Sequence, residues 1–136
     1  MKLTELFPQF LKLRVATDEE IAEYGWQGKK PHWLLCPVDV LAEADGIRFT
    51  DPLWASAHPG QDGYEFGGTV HVAFAGHDPE GIISMDCDGK PSKWAISGSG
   101  YIDLRLTPSI FVNAKGDPPG WHGFVGLYVP GEVTNA

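Results

Sequence analysis

Cysteine is scarce in this chain: Cys36 and Cys87 are the only two in 136 residues. They form no C-x-x-C pair and no disulfide framework, so the simplest reading is a reduced chain with two ordinary thiols, as in the cytoplasm. Cys36 ends the apolar stretch WLLC at residues 33–36, where a buried, inert thiol is expected. Cys87 lies between Asp86 and Asp88, whose charges raise a thiol pKa and disfavour a nucleophile. Long apolar runs are also missing, so no segment is expected to span a membrane. Residues 1–14 lack the apolar stretch and small-residue cleavage site of a signal peptide. Basic charge is short as well. Ten Lys and Arg face 18 Asp and Glu, for a net charge of −8. The cations are scattered, with Lys29-Lys30 the one basic pair, which argues against direct nucleic-acid binding. G-x-S-x-G, P-loop and Rossmann glycine patterns do not occur.

Turn formers and aromatics are plentiful instead. Glycine (17) and proline (11) make up about a fifth of the chain, which also carries five tryptophans. A chain of this size buries roughly two thirds of its unfolded surface, enough for a core without staples. The expected fold is α+β and mostly β, one domain over residues 1–136. Residues 1–46 read as short helices and connectors, and residues 47–136 as a β-rich core. Thr17-Asp18-Glu19-Glu20 is a capping box, with Gly25 as the helix stop. Residues 32–38 read as a strand up to Pro37, and Asp39 as the cap of a short helix over residues 40–44. After Gly46 the apolar period becomes two. Ile47 and Phe49, then Val70, Val72 and Phe74, then Ile102, Leu104 and Leu106 mark half-buried strands of an antiparallel meander. Asp88-Gly89 is a hairpin turn signal, followed by residues 94–96; residues 109–113 and 121–129 complete the set. Residues 51–68, rich in Gly, Pro, His and Asp, read as a long loop, either flexible or site-bearing.

Three constellations invite chemistry. None of the five histidines shows metal-ligand spacing, but His58, His77, Asp62 and Asp78 fall in or beside loops, where they could converge on a first-row metal. The competing reading is unrelated histidines and no metal. Ser97-Gly98-Ser99-Gly100 is a connector whose amides would cradle an anion, although it opens no helix. The run GWHGF at residues 120–124 places Trp121 and His122 between glycines. Two readings stand side by side there: a buried Trp beside a hydrogen-bonded His, or a pocket wall. If a pocket exists, Trp94, Tyr101, Trp121 and His122 are expected on its wall, with Trp54 at its mouth.

Four stretches give the chain a family resemblance: residues 1–14 (MKLTELFPQFLKLR), 41–49 (LAEADGIRF), 92–106 (SKWAISGSGYIDLRL) and 120–134 (GWHGFVGLYVPGEVT). It resembles small bacteriophage and prophage proteins of uncharacterised function, close to the DUF6527 family. The resemblance implies a zinc knuckle, with C-P-x-C after the G-I-x-F strand and a further Cys shortly before W-H-G-F. This chain departs at each cysteine: Asp51-Pro52-Leu53-Trp54 and Pro119 stand there, and only His122 keeps its place. The expectation is therefore no bound zinc and no cofactor, with Trp54 filling space beside Trp121.

These readings lead to a non-catalytic, small phage-type binding protein in the host cytoplasm. It would hold a host protein or a small ligand, in the setting of anti-defence; its acidity suits plain solubility, a basic partner or nucleic-acid mimicry. One alternative is a metal-assisted hydrolase using His58, His71, His77 and Asp78. Another is a virion or assembly accessory that associates through sheet edges.

Overall fold

The computed structural model describes residues 1–28, 31–86, 88–92, 94–112 and 120–136. Lys29, Lys30, Cys87 and Pro119, singled out above, lie outside them. The fold is α+β and mostly β, with two four-stranded antiparallel sheets and two short helices. The first sheet runs β2-β1-β3-β4, from β1 (Gln9–Val15), β2 (Trp33–Val38), β3 (Gly46–Thr50) and β4 (Thr69–Ala73). The second runs β5-β6-β7-β8, from β5 (Ala95–Ser97), β6 (Arg105–Phe111), β7 (His122–Val125) and β8 (Val133–Asn135).

The first sheet corrects the division at residue 46. Residues 1–46 hold two of its strands, and β1 sits inside the sheet between β2 and β3. The reason is visible in β1, where Leu11, Leu13 and Val15 alternate with Lys12 and Arg14. That is a period-two pattern, and six residue pairs, Phe10↔Val38 to Val15↔Trp33, zip it to β2. Helix α1 (Asp18–Tyr24) forms where the capping box places it. The Thr17 hydroxyl accepts from the Glu20 amide, and the Glu20 carboxylate accepts from the Thr17 amide. Gly25 ends the helix at φ +67°, a left-handed conformation that glycine adopts without steric cost. The Arg14 guanidinium grips the same Glu20 carboxylate at 2.7 and 2.8 Å and holds its pKa down to about 2. The expected helix after Asp39 is a single 3-10 turn, Leu41–Glu43, with Val40 as its N-cap and no side-chain cap.

Two further stretches differ from the sequence reading. Residues 51–68 contain helix α2 (Pro52–Ala57) and a 3-10 turn (Tyr64–Phe66). Asp51 caps α2 by accepting from the Leu53 and Trp54 amides, and Pro52 fits the first helical position because no bond is lost there. The alternation at residues 102–106 is only half a strand. Residues 101–103 form a turn, Ile102 is 83% exposed, and β6 begins at Arg105. The Asp103 carboxylate accepts from the Ser99 and Gly100 amides and the Ser99 hydroxyl, each at 2.9 Å, and so closes a loop where an extended chain was expected. The short apolar run at residues 82–85 forms a turn region rather than one of the named strands. The buried Asp78 carboxylate gathers its amides, accepting from Ile82 (2.7 Å), Ile83 (2.8 Å) and Ser84 (3.2 Å). The Asp88-Gly89 turn forms as expected, with Asp86 accepting from Asp88 and Lys90 and Met85 bridging to Pro91.

One apolar core joins both sheets. Phe10, Ile47, Phe49 and Val72 come from the first sheet; Leu106, Ile110, Trp121 and Val125 come from the second sheet and its approach. Leu3 and Leu6, on the 3-10 turn Leu3–Leu6, close one end. Trp121 is 1% exposed and meets the Phe49 ring edge-on, with centroids 6.0 Å apart. Its indole Nε1 donates to the Asn135 side chain at 2.8 Å.

Asp78→Ala would leave three amides of this turn without their acceptor. Each such loss costs about 1–3 kcal/mol. Urea denaturation should register a drop of at least about 3 kcal/mol, with Asp78→Asn, which retains one carbonyl oxygen, falling between.

Candidate functional site

The ring-bearing residues named from sequence do not share one wall. Tyr101 stacks on Phe10 with centroids 4.1 Å apart, and its hydroxyl accepts from the Phe10 amide at 2.8 Å. Burial pushes that phenol's pKa up. Trp121 belongs to the core, and Gly123 beside it leaves no room for a Cβ against the indole and the Thr134 carbonyl. His122 stacks on Phe111 at 4.5 Å and lies 6.3 Å from the Phe124 ring. Trp54, on α2, stacks on His58 at 4.1 Å and on Phe66 at 6.0 Å, while Gly68 packs against its ring. Its recorded ring partners are therefore His58 and Phe66, and Trp121's is Phe49. Trp94 lines a cleft of about 390 Å³, with Asp86, Lys90, Pro91, Ser92 and Pro108.

The histidine–aspartate set is equally dispersed in its bonding. His58 Nδ1 lies 3.0 Å from the Trp54 carbonyl oxygen. His71 stands on β4 opposite Arg48 of β3. His77 Nδ1 lies 3.1 Å from Asp45 Oδ1, and Asp78 is occupied by its three amides. Among the described residues, no three His, Cys, Asp or Glu side chains are placed to hold a metal ion. The positions implied by the zinc-knuckle resemblance do not fit zinc: Asp51 is spent on the α2 cap and His122 is stacked on Phe111. The anion cradle at Ser97-Gly98-Ser99-Gly100 is filled from within, by the Asp103 carboxylate. Those bonds hold the Asp103 pKa below its usual value.

What these carboxylates do is structural. Asp45, Asp51, Asp62, Asp78, Asp86 and Asp103 each accept at least one backbone N–H, and each thereby fixes a turn or a strand end. Histidine is used in a similar way. His32, His58, His77 and His122 all lie against an aromatic ring.

The surface the sequence reading missed is apolar. The turn at residues 101–103 and the turn at residues 126–132 stand side by side. Gly131, at φ +75°, brings its backbone against the Ile102 and Tyr101 carbonyls so closely that a Cβ there would collide. Its amide donates to the Leu104 carbonyl at 2.9 Å, and its carbonyl accepts from Leu3 at 2.8 Å. On this braced base Ile102 is 83% exposed, Tyr128 79%, Val129 50% and Leu127 43%. A cleft of about 370 Å³ opens there, lined by Ile102, Val129 and Pro130 together with the charged Lys2 and Glu132. The signal available in sequence was Asp103, whose side chain closes a turn that leaves Ile102 exposed while Leu104 and Leu106 stay buried.

No helix among the described residues is long and apolar enough to cross a membrane. No family model matches the chain, and neither the curated proteins nor the solved structures yield a match.

His71 gives a pH test of the first sheet. Burial first, and the Arg48 charge second, lower its pKa below 6.5. The folded state thus prefers the neutral imidazole. This stabilisation is complete above about pH 6.5 and is lost as the pH falls toward the folded-state pKa, because the unfolded chain takes up the proton first. Denaturation at pH 7.5 and pH 5.5 should show a stability loss on acidification that His71→Gln reduces. The Glu20 contribution lies in a separate window, below its unfolded value of 4.5.

Proposed function

We propose that this chain is a non-catalytic, small phage-type binding protein that acts by holding a host protein, in the setting of anti-defence. The apolar face around Ile102 and Tyr128 carries the reading. Side chains this exposed gain little for the folded monomer, and an apolar patch with a charged rim is the usual form of a protein-binding surface. The turns beneath it are braced by Gly131 and Asp103, so docking orders little chain and loses little entropy. A net charge of −8 favours a partner whose contact surface is apolar at its centre and basic around it. The resemblance to phage and prophage proteins supports the setting. The carboxylates already bonded to backbone amides support a binding role over proton transfer.

The test is affinity capture from bacterial lysate with the native chain and with an Ile102→Asp/Tyr128→Asp double variant. Both residues are exposed, so the variant should fold. The expected result is a basic host protein held by the native chain, released by salt and lost with the variant. Capture that the variant retains in full, or no capture by the native chain, would refute the reading.

A further inference from the structure

The Trp94 cleft lies apart from that face and carries a second inference. Three buried side-chain atoms among the described residues lack a hydrogen-bond partner: Arg48 Nη1, Ser92 Oγ and Thr134 Oγ1. Arg48 already has the Tyr64 ring over its guanidinium at 4.1 Å and Asp62 at 3.8 Å. Thr134 lines a cleft of about 310 Å³ with no aromatic wall among the described residues. Ser92 differs on both counts. It is 6% exposed and lines the 390 Å³ cleft beside an indole. A buried hydroxyl left unpaired is costly, and native structures rarely keep one without a use.

The chemistry of the walls is selective. The Trp94 ring with Pro91 and Pro108 supplies flat apolar surfaces, which suit a planar ring. Asp86 and Lys90, which also line the cleft, carry opposite charges, so the lining favours no net charge. The chain's own −8 opposes an anion. The volume lies within the usual range for small-ligand sites. We infer that this cleft binds a neutral, planar heteroaromatic molecule of one or two rings, which stacks on Trp94 and gives a polar edge atom to the Ser92 hydroxyl. Free nucleobases and indoles share this chemistry. The inference does not depend on the host-protein reading, and the Ile102/Tyr128 variant leaves this cleft intact.

Titration of the isotope-labelled full chain with adenine, indole and cyclohexanol, followed by amide and indole NMR signals, tests it. Saturable shifts of the Trp94 indole N–H and the Ser92 amide are expected with adenine or indole at a Kd of about 1 mM or tighter. Cyclohexanol has a hydroxyl but no flat face, and should bind at least about ten-fold more weakly. Which of the two aromatics binds more tightly identifies the source. Ser92→Ala should weaken binding several-fold without lowering Tm, because it removes an unpaired polar atom. Trp94→Leu, read at the Ser92 amide, should abolish the shift. The inference is overturned by the absence of saturable shifts with either aromatic, by equal binding of cyclohexanol, or by a Ser92→Ala variant that melts lower while still binding.

Discussion

The two sheets are held to one core at Trp121. Its indole is buried at 1% exposure, reaches edge-on to Phe49 of β3, and spends its one donor on Asn135 of β8. It thus ties the entry of β7 to the first sheet and to the final strand at once. Gly123 exists beside it because any Cβ would strike the indole. The GWHGF run is therefore explained by packing: the Trp fills the core, the Gly makes room for it, and the His stacks on Phe111.

Around that core the chain is built by short acidic side chains. A fold with this much turn has many amides that no helix or strand satisfies, and six aspartates supply acceptors for them. The acidity thereby acquires a local meaning. Part of the charge is turn chemistry, and the two proposed binding surfaces are an apolar face on braced turns and a tryptophan cleft with an unpaired hydroxyl.

Much of the architecture was legible in sequence where side chains and backbone agree. The α1 capping box, the Asp88-Gly89 turn and the alternations of β3 and β4 all formed as read. The misreadings share a cause. At Asp103 a side chain competed for backbone amides and overrode an apolar pattern, and at Asp51 it started a helix inside an assumed loop. β1 was misread because its alternation lay in a region otherwise full of turns. The candidate site was less legible. Aromatic residues named from composition found separate partners across the molecule, since a ring's use depends on contacts distant in the chain. Ser92 carries no signal in sequence; its place becomes evident only from the cleft it lines.

The dependence on Trp121 is the claim most open to direct measurement. Truncating a core tryptophan costs about 3–5 kcal/mol. Urea unfolding of Trp121→Ala, followed by both far-UV circular dichroism and amide exchange in β3 and β8, should show that loss as one transition in which both sheets move together. A variant of native stability, or one in which β8 loses protection while β3 keeps it, would contradict a core shared through Trp121.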